Sequence, residues 1–192
     1  MAKVKIEIKG TTPLLMNRFS EENEVKLASG TSPAGNAGRG TPREQAEKTA
    51  YKDTKGFLFV PGPNIYRSII DAGKFHKYGK SKVTTQRNSL VTAGVSLDAI
   101  VVPLGVKDFE VDSRSVVIPA TGGRVMRHRA RLDEWKLAFE LEVDTQVFDV
   151  DFVRTLVDDA GKKIGLGDFR PDRKGPFGKF KVTTWKVSSN GD

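Results

Sequence analysis

The sequence of 192 residues predicts an α+β protein. Residues 3–9 alternate between apolar and charged side chains, which is typical of a strand with one buried face. Two later segments, 64–77 and 149–164, place apolar residues at helical spacing. The contents of 38% apolar and 29% charged residues are those of a globular chain and not of a disordered one.

The first helix is predicted just after a long polar stretch. Residues 20–40 are rich in Gly, Ser, Asn and Ala, and they predict a flexible surface loop. Thr41, Pro42 and Glu44 then fit the N-cap, the first helical position and the third position of a capping box. We expect a short helix that ends at about Tyr51.

The later elements complete an order of strand, helix, two strands, helix and strand. They are a strand at 57–60, the helix at 64–77, strands at 95–104 and 115–119, a hairpin of 124–131 with 135–143, the helix at 149–164 and a last strand at 177–187. This order is the ferredoxin-like βαββαβ plan, which RNA-recognition (RRM-like) modules share with many enzymes. We expect one domain over 1–192, with long loop and β-hairpin insertions, the largest at about 79–123.

Several classes of protein are excluded by composition. The sequence has no cysteine, so it forms neither disulfides nor thiolate metal sites, and a reducing compartment is favoured. It has no apolar run long enough for a membrane span and no apolar N-terminal segment typical of a signal peptide. We therefore expect a cytoplasmic protein. The only histidines, His76 and His128, are far apart in sequence, so we expect no metal site and no cofactor.

The charge balance points to a polyanionic partner. The formal net charge is +8 and the isoelectric point is about 9.7. A basic surface binds nucleic acid through the release of counterions from the phosphates. The alternative is that the charges are merely solvated. The clustering of the basic residues along the chain distinguishes these two interpretations.

The densest basic segment is 165–181, after the second predicted helix. Its glycines allow sharp bends and a close approach to phosphate oxygens. Its order of helix, loop and strand excludes a Walker A loop. Three phenylalanines, Phe169, Phe177 and Phe180, offer stacking faces, although we expect Phe177 or Phe180 to be core. The cations assigned to phosphate binding are Arg170, Arg173, Lys174 and Lys179.

Two other basic segments have alternative interpretations. On the strand at 124–131, alternate arginines share one face, and they either bind an anion or pair with Glu140, Glu142 and Asp144 on the neighbouring strand. The helix and loop at 64–88 either bind the phosphate backbone of a nucleic acid regardless of its base sequence or form a solvated surface. The side chains assigned to binding here are Asn64, Arg67, Lys74, Lys77, Lys80, Lys82, Arg87, Arg124, Arg127, His128, Arg129 and Arg131.

Three segments resemble the RAMP superfamily, which includes the subunits that coat guide RNA in CRISPR effector complexes. Residues 6–14 (IEIKGTTPL) are similar to the family's first strand and its Thr-Pro-Leu turn. Residues 59–70 (FVPGPNIYRSII) are similar to the start of a family helix. Residues 175–180 (GPFGKF) are similar to the end of the family's C-terminal glycine-rich loop.

The resemblance implies a fold that binds RNA or another single strand. In the family, the helix start and the glycine-rich loop line the nucleic-acid groove. The residues thereby implied are Asn64, Arg67, Gly175, Phe177, Gly178 and Lys179. Family members often stack head to tail, which implies a homo-oligomer or filament on the strand. The sequence is also similar to small bacteriophage proteins, which implies a stand-alone role in a bacterial host cell.

We therefore expect a protein that binds the phosphate backbone of single-stranded RNA or DNA and performs no chemistry on it. Two alternatives stay open. The first is a metal-independent ribonuclease, in which His76 or His128 acts as the general base, with Tyr66 or Tyr78 and a lysine assisting. The second is a protein-interaction subunit, or a mimic of one, in a CRISPR-like complex.

Overall fold

Antiparallel sheets and short helices make up the protein, which confirms the predicted α+β class. The computed structural model describes residues 1–18, 40–117 and 122–189. In chain order, the strands and α-helices of these ranges are β1 (Ala2–Gly10), β2 (Leu14–Leu15), α1 (Pro42–Thr49), β3 (Phe59–Pro61), α2 (Gly62–Ala72), β4 (Lys77–Tyr78), β5 (Ser81–Lys82), α3 (Val91–Gly94), β6 (Val95–Ser96), β7 (Val101–Pro103), β8 (Glu110–Val117), β9 (Arg124–Leu132), β10 (Lys136–Val143), α4 (Val150–Asp159) and β11 (Phe180–Ser189). None of these helices has the length and apolar character needed to cross a membrane.

The largest sheet has four strands in the order β11–β1–β10–β6, with every neighbouring pair antiparallel. Ile6 in β1 lies opposite Phe139 in β10 and Trp185 in β11. The predicted alternation of β1 is confirmed, because Val4, Ile6 and Ile8 are buried whereas the charged side chains between them face outward. One face of this sheet is therefore apolar throughout.

Helices α2 and α4 cover the apolar face of the large sheet. Ile65 and Ile69 of α2 and Leu156 of α4 are buried in the same cluster as the β1 side chains. The opposite face is open, and it carries lysines in register: Lys9 lies opposite both Lys136 and Lys181. The sheet thus has one side for the core and one basic side for solvent.

A second sheet of three strands has the order β2–β9–β8. The predicted hairpin of 124–131 with 135–143 is wrong, because β9 pairs with β8 and β10 pairs with β1. The chain changes sheet at Trp135, which is buried. Its carbonyl accepts from the Gly10 N–H at 2.9 Å, and its indole N–H donates to the Thr12 carbonyl at 2.9 Å. These bonds fix the crossing between the two sheets.

The predicted insertion at 79–123 is interrupted by an element of the large sheet. The strand expected at 95–104 is two short strands: β6 joins β10, and β7 pairs with β3. The hairpin insertion is formed by β8 and β9, and its tip at 118–121 lies outside the described residues. The flexible loop expected at 20–40 also lies outside them, except for its last residue.

The predicted capping box of α1 is confirmed. The Glu44 N–H donates to the Thr41 hydroxyl at 3.3 Å, and the Thr41 N–H donates to the Glu44 carboxylate at 2.7 Å. The hydrogen bond from the Thr41 backbone lowers the pKa of Glu44. At the other end of α1, the Thr49 hydroxyl accepts from the Ala130 N–H at 2.9 Å and ties the helix to β9.

Candidate nucleic-acid interface

A cleft of about 230 Å³ lies between α2 and the loop that follows α4. We call residues 165–179 the glycine-rich loop. Asn64, Arg67 and Ser68 share one face of α2 because they are three and four residues apart, and this face forms one wall of the cleft. The described residues that line the cleft are Asn17, Tyr51, Asn64, Arg67, Ser68, Gly165, Leu166, Gly167, Asp168 and Arg170.

Main-chain hydrogen bonds hold the glycine-rich loop against the start of the chain. The Asp168 N–H donates to the Leu15 carbonyl at 2.7 Å, and the Gly178 N–H donates to the Pro13 carbonyl at 2.8 Å. Within the loop, the Leu166 N–H donates to the Gly178 carbonyl at 2.9 Å. The Ser68 hydroxyl adds a bond from α2 to the Gly165 carbonyl at 3.0 Å. The cleft is therefore a preformed depression with fixed walls.

Carboxylates orient the cations around the cleft. Asp71, which is buried, lies 3.2 Å from Arg67 and 3.4 Å from Lys74. Asp172 lies 3.4 Å from Lys74 and 3.5 Å from Arg170. Asp172 thus joins a lysine of the turn after α2 to an arginine of the glycine-rich loop.

The charge of this network remains positive. Arg173 lies 3.8 Å from Asp172, so four cations share two carboxylates and leave a net charge of two. The side chain of Arg67 is 70% exposed, which leaves most of its guanidinium accessible to a ligand. The carboxylates therefore position these cations without neutralising them.

A second depression, the groove, has a volume of about 620 Å³ and adjoins the same network. It is lined by Lys74, Lys82, Thr84, Thr85, Gln86, Arg87 and Asn88. Lys74 belongs to the groove and pairs with Asp172, which also pairs with Arg170 of the cleft. The cleft and the groove therefore meet at one ion-pair network. Together they bring Asn64, Arg67, Lys74, Lys82, Arg87 and Arg170 into a single basic track.

Arg127, Arg129 and Arg131 alternate along β9 and share one face, as expected, whereas Arg124 lies on the other face. Arg129 and Arg131 pair with aspartates. Arg129 lies 2.8 Å from Asp168, as an ion pair and not as an aligned hydrogen bond. Arg131 lies 2.8 Å from Asp133 and 3.8 Å from the buried Asp112. The expected partners Glu140, Glu142 and Asp144 are wrong because they belong to β10 and the turn after it, in the other sheet.

The remaining predicted cations lie outside the cleft and the groove. Arg124 and Arg127 lie towards the tip of the β8–β9 hairpin, and Lys77 and Lys80 belong to the β4–β5 ribbon. His128 contacts the Ser113 hydroxyl through Nδ1 at 2.7 Å. Lys174 and Lys179 belong to the second half of the glycine-rich loop, which does not line the cleft.

That second half has a structural role that the sequence did not separate from binding. Phe177 and Phe180 are both buried, which confirms that at least one of them is core. A Cβ atom at Gly178 would lie 1.8 Å from the Leu166 carbonyl oxygen, and one at Gly175 would lie 1.8 Å from the Phe169 carbonyl oxygen. Glycine is therefore needed at both positions for close packing of the backbone.

Seven of the ten residues that line the cleft were not assigned to binding from the sequence, and three of them form the segment 165–167. Ser68 could have been found, because it lies one turn beyond Asn64 on the same helical face. Asp168 carries the opposite charge to the cations that were assigned to binding in its segment. Asn17 and Tyr51 come from distant parts of the chain, and no local pattern places them beside α2.

The two histidines lie apart from the cleft and the groove. His76 contacts the Asp159 carboxylate at 2.7 Å, and Lys163 donates to the same carboxylate at 2.6 Å. Burial raises the pKa of Asp159, but the hydrogen bonds from Lys163 and His76 outweigh burial and hold this pKa below its ordinary value of 3.8. In the described part of the chain, no three His, Cys, Asp or Glu side chains are grouped so as to hold a metal ion.

Comparison with known proteins gives no family for the chain. No protein-family model matches it, and no curated protein matches it either. Its function is therefore inferred from the geometry and charge of the cleft and the groove.

Proposed function

We propose that the protein binds the phosphate backbone of a single-stranded nucleic acid along the track formed by the cleft and the groove. The observation that carries this proposal is the ion-pair network in which Lys74, Asp172 and Arg170 connect the two depressions. Cations at several points along one path are better suited to binding a polyanion than to binding a compact ligand. Neutral donors in the groove, such as Thr85 and Asn88, suit contacts that ignore base identity.

The size of the cleft supports a single strand. Its volume of about 230 Å³ is below the ~300–1,000 Å³ of pockets that enclose small ligands. A cleft of this kind accommodates a segment of one backbone, and the remainder of the strand continues into the open groove. A duplex would have to present its phosphates without entering the cleft, so it would make fewer contacts.

The RAMP resemblance is part of the proposal, and two observations support it. In chain order, the four strands of the large sheet are β1, β6, β10 and β11, which correspond to the first, second, third and fourth strands of a βαββαβ core. Across the sheet they lie in the order fourth, first, third, second, which is the ferredoxin-like order. The helix start and the glycine-rich loop, which both belong to the resemblance, meet at the cleft. The contacts come from the first half of that loop, whereas the resembling residues at 175–180 pack the loop.

Binding without catalysis is favoured over RNA cleavage. A general base must reach the reacting hydroxyl directly or through one water molecule. Neither His76 nor His128 belongs to the lining of the cleft or the groove, and each already has a polar partner. We therefore propose that the bound strand is held and not cut.

Fluorescence anisotropy with labelled single-stranded RNA, single-stranded DNA and duplex, each at several salt concentrations, tests this function. Both single strands should bind more tightly than duplex. Each phosphate contact contributes about 0.7 to the salt slope of a single strand. The double variant Arg67→Ala/Arg170→Ala should therefore lower the slope by about 1.4. The ratio of wild-type affinity to variant affinity should then be about 25-fold larger at ~0.1 M salt than at ~1 M salt.

A control variant with the same change in charge separates the track from general electrostatics. Lys5 and Lys186 lie opposite each other on the open face of the large sheet. The variant Lys5→Ala/Lys186→Ala should keep the salt slope of the wild type. If both double variants lose affinity equally, or if duplex binds as well as single strands at every salt concentration, the proposed site is wrong.

A further inference from the structure

Phe169 presents an exposed aromatic ring in the glycine-rich loop, between two residues that line the cleft. Its sequence neighbours, Asp168 and Arg170, both line the cleft, and its own side chain is 39% exposed. Its ring centre lies 6.1 Å from that of the buried Phe177. The guanidinium of Arg114 lies 4.5 Å from the centre of the Phe177 ring. The Phe169 ring thus rests against a fixed aromatic group and has an accessible surface.

The backbone at Phe169 has a conformation that a phenylalanine adopts only at a cost. Its φ is +46°, and the one other non-glycine residue with positive φ in the described ranges is Lys174 of the same loop. Glycine would adopt this conformation without strain. The Phe169 carbonyl accepts from the Phe177 N–H at 3.2 Å and lies against Gly175, so the backbone cannot relax easily. Such strain concentrates at functional sites.

Scattered exposed apolar side chains are common on protein surfaces and need no special explanation. Phe169 differs because strain, aromatic support and a place between two residues that line the basic cleft coincide at one residue. Every nucleobase has a π face, so one exposed ring beside a phosphate-binding cleft can stack on any base. We infer that Phe169 is a stacking platform for a base of the strand whose phosphates occupy the cleft.

This role rests on the proposed function and explains its preference for single strands. A base in a duplex is already stacked and paired, so it is not available to Phe169 unless the duplex opens. A base in a single strand can turn from the backbone onto the ring. The cleft then supplies affinity for phosphate, and Phe169 adds affinity that depends on an unpaired base.

Two oligonucleotides of equal phosphate number test the inference: an oligouridine and an abasic strand of the same length. The variant Phe169→Ala should bind the oligouridine about 5- to 150-fold more weakly than the wild type. It should bind the abasic strand as the wild type does. Phe169→Trp should keep the affinity for oligouridine. As a control, Phe75→Ala removes an exposed ring that lines neither the cleft nor the groove and should change neither affinity.

The variant Phe169→Gly separates stacking from folding. It removes the ring and relieves the positive φ, so its thermal midpoint should equal or exceed that of the wild type while the oligouridine affinity falls as for Phe169→Ala. If Phe169→Ala weakens binding to both strands equally, or to neither, stacking is refuted and phosphate binding stands. If the wild type binds neither strand, the proposed function fails together with the stacking role.

Discussion

Replacing Gly178 with alanine tests how the glycine-rich loop is held against the start of the chain. The φ of Gly178 is +71°, and a left-handed conformation costs an alanine about 1–2 kcal/mol. The new Cβ atom would also lie 1.8 Å from the Leu166 carbonyl oxygen, so the two backbone segments must separate. That separation weakens the bonds of Gly178 to Leu166 and Pro13, each worth about 0.5–1.5 kcal/mol.

The free energy of unfolding should therefore fall by about 2–5 kcal/mol. Urea denaturation followed by circular dichroism measures this change. With a denaturant slope of about 2 kcal/mol per molar, the midpoint should fall by about 1–2.5 M. An unchanged slope would show that the loss comes from the folded state and not from a change in the surface exposed on unfolding.

Gly105 provides the matched control. Its φ is +75°, close to that of Gly178, but a Cβ atom there would have nothing within 4 Å. In the variant Gly105→Ala, the free energy of unfolding should therefore fall only by the cost of the left-handed backbone conformation, about 1–2 kcal/mol. The difference between the two variants isolates the contact with Leu166. Equal losses at the two glycines would refute the close packing of the loop.

Two further predictions concern a helix cap and a partly buried acid. Thr41→Ala should lower the free energy of unfolding by about 1 kcal/mol, because the Glu44 N–H loses its acceptor; an unchanged thermal midpoint would contradict the capping role. Asp159→Asn should be less stable than the wild type at neutral pH. The lowered folded-state pKa of Asp159 gives a stabilisation that is complete above its ordinary value of 3.8 and disappears as the pH falls through the lowered pKa. The stability gap, followed by urea denaturation, should narrow as the pH falls below 3.8, and a gap that stays constant as the pH is lowered further would refute this assignment.

Local patterns predicted the elements whose signals lie within a few residues. The capping box of Thr41 and Glu44 gave the start of α1, because both hydrogen bonds form between neighbours in sequence. The alternation of β1 likewise indicated which side chains are buried. The helix expected at 64–77 begins at Gly62 and ends at Ala72, where a 3₁₀ turn (Gly73–Phe75) follows.

Strand pairing was predicted less well because it depends on distant residues. β9 and β10 are separated by only three residues, a spacing that favours a hairpin. The burial of Trp135 and its bonds to Gly10 and Thr12 instead direct the two strands into different sheets. These partners lie more than a hundred residues earlier in the chain, so no local pattern could reveal them.

The candidate site shows the same division. Arg67 and Arg170 were identified because each lies in a basic segment with a clear local signal. The connection between them runs through Asp71, Lys74 and Asp172, and it depends on the packing of α2 against the glycine-rich loop. The sequence therefore indicated the charges of the site but not the carboxylates that orient them.

The central position of β1 affects how the chain folds during synthesis. Both neighbours of β1, β10 and β11, are made after residue 135, so the first strand emerges from the ribosome long before either of its partners. During that interval Val4, Ile6 and Ile8 have no sheet to join, and an unpaired apolar strand invites association between nascent chains. The lysines at positions 3, 5 and 9 place charge on every such strand. They would oppose stacking of one nascent chain on another until the last fifty residues complete the sheet.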